Sequence, residues 1–191
     1  MLTVGLVVAA AAPVMVLRFV SPPAPPDDPP VGLGRIRQVP PGVVEYTNIA
    51  ADYGFSYPST WQLNEVGSSV RLESPGGNTV VSFGSVAADG LDAASEGLIE
   101  AMPGSGTSQE LIGTTREQIA GSPSLLTSGT ATDELGRPVR FLAIAVRADI
   151  GSYAITIIVP AGSDPSRVLP PVERVIASFD ILDDGDVVGP L

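Results

Sequence analysis

Cysteine, histidine and lysine are all absent from the sequence, whose ten basic residues are every one arginine. Without cysteine there is no disulfide, no thiolate nucleophile and no cysteine at which a lipid could be attached. Zinc sites and the common hydrolase triads then lack their ligands and bases, and without lysine neither Schiff-base chemistry nor a P-loop can operate. Carboxylates, arginine, tyrosine and the Ser/Thr hydroxyls are what remains for chemistry. Aromatics are scarce too, ten in all, so those present are needed to fill a core. Positive charge is outnumbered, 10 basic residues against 21 acidic for a net charge of −11. The span Val43 to Leu182 alone has 7 arginines and 16 acids, or −9. A surface of that sign repels phosphate backbones and anionic headgroups, so nucleic acid is not an expected partner, and solubility is the plain consequence.

What is present begins with an uncharged apolar run, Leu2 to Leu17, which Arg18-Phe19-Val20 extends to about the 17–25 residues that a spanning helix needs. Pro13 interrupts it at the cost of one helical hydrogen bond. A signal peptide would need basic residues before the run; none is there, although Ala9 to Ala12 could serve as a cleavage site. Residues 1–20 therefore read as a transmembrane anchor or uncleaved signal. Ser21 to Gly42 contains eight prolines and reads as a polyproline II linker without strand or helix pattern. The flanking Arg18, Arg35 and Arg37 would, by the positive-inside rule, leave the domain cytoplasmic. The proline-rich spacer argues the other way, and the expectation adopted is an extracytoplasmic domain in a bacterial envelope.

From Val43 the pattern changes, and 44% apolar residues suffice for one packed domain over 43–182. Val44-Tyr46-Asn48 and Tyr53-Phe55-Tyr57 alternate as strands do, and Val70-Leu72 and Val81-Phe83 flank a turn at Ser74-Pro75-Gly76-Gly77-Asn78. Leu91, Ala94, Leu98 and Met102 recur at helical spacing behind Asp89, a candidate N-cap, with Pro103-Gly104 as the stop. Strands follow over Glu110–Ile119, Ser124–Thr132, Val139–Arg147 and Tyr153–Val159. The last two of these are apolar on both faces, which places them centrally. Asp164 and Pro165 open a second helix with the stripe Val168, Val172, Val175/Ile176 and Phe179, which Pro170-Pro171 should kink or restart. The expected fold class is α+β, an antiparallel sheet of about six to eight strands with helices on its faces. Residues 183–191 form an acidic tail.

The segment Phe55-Ser56-Tyr57-Pro58-Ser59-Thr60-Trp61, the meander after it and the closing Ile176-Ala177-Ser178-Phe179-Asp180-Ile181 resemble PsbP-like domains. That resemblance implies an α/β/α sandwich and a non-catalytic role in binding a protein or ligand. Bacterial envelope lipoproteins of the LpqN type are members, and this chain departs from them in having no lipidated cysteine.

Among the residues that remain for chemistry, Glu96 and Glu100 stand one helical turn apart and Asp133-Glu134 sits in a predicted turn; solvated surface accounts for both pairs better than glycoside hydrolysis does. Asp180, Asp183, Asp184 and Asp186 lack the spacing of a calcium loop. Gly104-Ser105-Gly106 and Gly76-Gly77 read as turns, not phosphate loops. No catalytic residue, metal ligand or cofactor is expected. Tyr53, Tyr57 and Trp61 are the candidate contacts for a partner or ligand if exposed together, core packing being the other reading. The expected function is a membrane-tethered, non-catalytic binding module whose partner is an envelope protein or lipid. Alternatives are a carrier enclosing a small apolar ligand and a carboxylate-based hydrolase.

Overall fold

The alternating and helical patterns resolve into eleven strands and two helices in the computed structural model, which describes residues 34–38, 41–102 and 108–182. β1 (Gly34–Gln38), β2 (Val43–Asn48) and β3 (Tyr53–Pro58) pair in succession, and β4 (Gln62–Val66), β5 (Ser69–Glu73) and β6 (Val80–Val86) form a meander. α1 (Leu91–Glu100) leads into β7 (Glu110–Ile119), β8 (Ser122–Thr132), β9 (Pro138–Ala148) and β10 (Gly151–Pro160). α2 (Pro165–Ala177) and the short β11 (Asp180–Ile181) close the fold.

These strands make two antiparallel sheets, of order β1-β2-β3-β11 and β4-β5-β6-β10-β9-β8-β7. The sequence pattern had implied one sheet of fewer strands. Alternation fixes which face of a strand is apolar but not which neighbour it pairs with, so a division into two sheets is invisible to it. β1 is a second correction, since it lies inside the stretch whose proline content reads as spacer. Among the described residues no helix is long and apolar enough to cross a membrane. The expected anchor, the proline-rich stretch up to Leu33 and the tail from Asp183 lie outside the described residues.

β9 shows how the layers are stacked. Its Ile144 and Val146 point into a cluster with Tyr53, Phe55, Phe83, Val172 and Val175, contributed by β3, β6 and α2. Its Val139, Phe141, Ala143 and Ala145 point the opposite way, against Ala94, Leu98 and Met102 at the α1 side. The small sheet and α2 thus cover one face of the large sheet and α1 the other, which is why β9 and β10 are apolar on both faces. Ala131, Ala143, Ala145 and Ala154 line the α1 face, and such short side chains let a helix approach the sheet closely.

The helix ends separate two sequence signals. Asp164 caps α2 as expected, its Oδ1 accepting from Ser166 N at 3.0 Å with Pro165 in the first turn. For α1 the cap is Gly90, at φ 135, and no side chain bonds there, so Asp89 is one residue too early to serve. α2 runs through Pro170 and Pro171 as one helix. The carbonyls of Ser166 and Arg167, which the two prolines leave without helical donors, belong to an exposed first turn that water can reach.

Two positions carry local predictions. Ala120 and Gly121 form the two-residue turn between β7 and β8, with φ of 51 and 72, the left-handed pair that a type I′ hairpin requires. Alanine is strained there, and Ala120→Asn is expected to stabilise the fold by about 1 kcal/mol, read as a higher denaturant midpoint. Gly129 lies under the Phe141 ring. A Cβ there would sit 2.7 Å from Phe141 Cε1 and 2.6 Å from the Glu110 carbonyl oxygen. Gly129→Ala should therefore cost about 1–3 kcal/mol by overpacking, measurable in the same unfolding experiment.

Candidate functional site

Tyr53, Tyr57 and Trp61, the candidate contacts read from the sequence, are all buried, with exposures of 0%, 6% and 8%. The structure assigns them to core packing and removes them as a surface patch. The same holds for every aromatic side chain among the described residues. Phe55, Phe83 and Phe179 stack nearly parallel, with centroids 4.1 Å and 5.8 Å apart, so that rings from the two sheets and from the end of α2 form one column. Tyr53 packs beside it, 5.9 Å from Phe179 and 6.1 Å from Tyr153. The space between the sheets, where an enclosed apolar ligand would sit, is occupied by these rings.

Most of the tyrosine hydroxyls are satisfied locally. Tyr46 donates to Glu65 Oε1 at 2.9 Å. The fully buried Asn48 donates to Tyr53 Oη at 3.2 Å while its own oxygen accepts from Ala51 N, which clamps the turn between β2 and β3. Tyr153 reaches the Asp52 carbonyl at 3.4 Å. Burial holds all four phenols in the neutral form and raises their pKa values. For Tyr46 the bond to the Glu65 carboxylate adds to the effect, and Tyr153 is pushed up to about 12, with Asp52 contributing.

The carboxylate pairs are surface features. Glu96 and Glu100 are exposed on α1. Asp133 accepts from the backbone nitrogens of Leu135 and Arg137 at 2.9 and 2.8 Å and pairs with the Arg137 guanidinium at 2.7 Å. Those bonds, the Arg137 side chain first, hold its carboxyl below the ordinary value and make it the organiser of the β8–β9 turn. Asp180 is exposed at the edge of the small sheet, and Asp183, Asp184 and Asp186 lie outside the described residues. Among the described residues no three acidic side chains gather as metal ligands would.

An open cleft of about 290 Å³ lies where the β7–β8 and β9–β10 turns meet β11, lined by Gly121, Pro123, Arg147, Asp149, Ile150 and Ile181 among others. Arg147 is committed there, Nη1 donating to the Ala88 carbonyl at 3.1 Å and to Ser152 Oγ at 2.9 Å.

β7 falls where the sequence placed a strand, and what pattern reading missed is its position at the edge of the sheet. It ends the large sheet, and its residues are exposed from Glu110 to Gln118 on both faces. Leu111 and Ile112 are 51% and 69% exposed beside a bulge between Leu111 and Gly113. Arg116 pairs with Asp92 of α1 at 2.8 Å, and Thr114 Oγ1 lies 3.2 Å from Thr127 Oγ1 of β8. The available signal was the thin apolar content of Glu110–Ile119, which marks a strand buried on neither face.

Layered in this way, the chain is an α+β domain of antiparallel sheets and two helices, and comparison with solved structures gives it the Mog1/PsbP-like fold. It is similar to the Ran-binding protein Mog1p of Saccharomyces cerevisiae, with a TM-score of 0.52 and 12% identity, over 74% of this chain and 96% of that one. It is similar as well to cyanobacterial PsbP from Synechocystis, with a TM-score of 0.51 and 18% identity over 73% and 92%. A protein from Bacteroides thetaiotaomicron matches with a TM-score of 0.50 and 17% identity over 74% of this chain, which spans only 49% of that one. At these identities the likeness is one of fold. No family model and no curated protein sequence matches the chain.

Proposed function

We propose that the chain is a non-catalytic binding module tethered to a membrane by its N-terminal segment and facing the extracytoplasmic side of a bacterial envelope, where it serves as an accessory or adaptor protein. The observation that carries the reading is a division of labour within the sequence. An uncharged run at Leu2 to Leu17 is joined through a proline-rich stretch to a domain without cysteine, histidine or lysine. The Mog1/PsbP-like fold supports it, since one protein of that fold is described as Ran-binding. The ring-filled space between the sheets favours recognition at the outer surface over carriage of an enclosed ligand.

The tether is tested by fractionation. Full-length chain is expected to stay with alkaline-washed membranes and to be digested by protease added to spheroplasts, while a chain lacking residues 1–20 should be released. Full-length chain in the soluble fraction would remove the tether, and protection from external protease would place the domain on the cytoplasmic side.

A further inference from the structure

Every described aromatic is buried, so no aromatic anchor serves this surface, whereas β7 offers backbone groups, charge and the exposed Leu111 and Ile112. The Gly113 carbonyl lies on the β8 side of the strand, 3.5 Å from Ser128 Oγ. Backbone groups alternate in direction along a strand, so those of Thr114, Arg116 and Gln118 point to the outer edge, where no described strand pairs with them. Neither α1 nor the small sheet covers β7.

Charge around this edge is one-sided. Asp92 and, one turn on, Glu96 flank it on the α1 face, where Arg116 is already bridged to Asp92. Glu117 stands opposite Ser124 on the other face, and Glu110 opposite Thr130. Arg140, paired with Thr130, is two strands inward from Glu110, about 10 Å away.

We infer that the outer edge of β7 is a docking site for an extended, cationic segment of a partner protein, which adds to the large sheet as an eighth strand. Backbone bonds to Thr114, Arg116 and Gln118 supply affinity, basic side chains alternating to either face meet Asp92/Glu96 and Glu110/Glu117, and Leu111 and Ile112 meet an apolar residue at one end. A second copy of this chain fits less well. Antiparallel pairing of two β7 edges about a two-fold axis puts both α1 helices on one face and turns Asp92 and Glu96 toward their own copies. The assignment rests on the binding-module reading and names the surface it uses.

The test uses a fluorescent peptide of repeating Arg-Arg-Val-Val, which presents arginine on both faces of an added strand, matched in length to β7 and titrated by anisotropy onto the full-length chain in detergent micelles. Binding is expected to weaken by about tenfold or more when alternate backbone nitrogens of the peptide are methylated, and equally when glutamate replaces arginine. Thr114→Pro with Gln118→Pro removes two outward N–H groups and spares the backbone bonds to β8, losing there only the Thr114–Thr127 hydroxyl bond, so it should weaken binding as much at a modest cost in stability. If that variant fails to fold, the methylated peptide against the unaltered chain and Glu96→Arg carry the test. Equal binding of the methylated peptide would reduce the effect to bulk charge and overturn the assignment, as would self-association abolished by the proline pair. Crosslinking the proline variant in cells separates the two claims. A partner still captured overturns β7 and leaves the binding module standing, whereas no partner captured by either form overturns the module itself.

Discussion

Above pH 10 the folded domain is expected to unfold in one steep transition driven by its tyrosines. The chain has four tyrosines, and all are buried with their pKa values raised above the ordinary 10.0. The folded state keeps these protons while the unfolded chain releases them from about pH 10 upward. The stabilisation is therefore complete below pH 10 and is lost as pH rises toward the folded values, about 12 for Tyr153 and higher for Tyr46 and Tyr53. Each such phenol changes stability by up to ~1.4 kcal/mol per pH unit, so Tyr46, Tyr53 and Tyr153 together approach ~4 kcal/mol per unit, and Tyr57 adds in the same direction. Against a typical domain stability of about 5–15 kcal/mol, that is enough to unfold the protein within about two units. No other side chain confuses the assignment, because lysine, cysteine and histidine are absent and arginine stays charged. Tyrosinate absorbance and circular dichroism should change together, and Tyr153→Phe should make the slope about a quarter to a third shallower between pH 10 and 12. Tyrosinate appearing near pH 10 with the fold intact would contradict the burial of the four rings.

Removing the middle ring of the aromatic column should cost as much as any single core change in this domain. Phe83 is 1% exposed, stacks on Phe55 at 4.1 Å and on Phe179 at 5.8 Å, and lies 6.3 Å from Tyr53. Phe83→Ala is expected to destabilise by about 3–5 kcal/mol, the sum of lost transfer energy and a cavity that β3, β6 and α2 cannot close. Phe83→Leu, which keeps most of the volume, should cost under about 1.5 kcal/mol. Both are read as shifts in denaturant midpoint at unchanged slope. A loss below about 1 kcal/mol for Phe83→Ala would mean that the rings do not form the structural core.

Legibility followed the strength of the local chemistry. The apolar runs of β9 and β10, the second broken only by Thr156, have the length and β-branched content of strands covered on both faces, and Asp164-Pro165 joins an N-cap residue to a proline in the first turn. Gln62–Val66 was not legible, because an edge strand exposed along nearly all its length needs no alternation and shows none. β1 was hidden because its partner, not its own sequence, makes it a strand. The aromatic question was open for a different reason. Tyr53, Tyr57 and Trp61 have the side chains of a recognition patch and of a core alike, and only the arrival of β6 and α2 over the small sheet decides between them. The β7 edge was read as an ordinary strand, since sequence shows composition and not which strand lacks a neighbour.

The central claim, that this chain works by holding a partner at its outer surface, is tested most directly by site-specific photo-crosslinking in the cells that make it. A photoreactive residue would be placed in turn at the exposed Ile36, Ile112, Leu135 and Leu169 of the full-length chain. The account predicts a discrete adduct with one macromolecule, strongest from Ile112 on β7. No adduct from any position, together with turnover of a small molecule that a single carboxylate substitution abolishes, would contradict it.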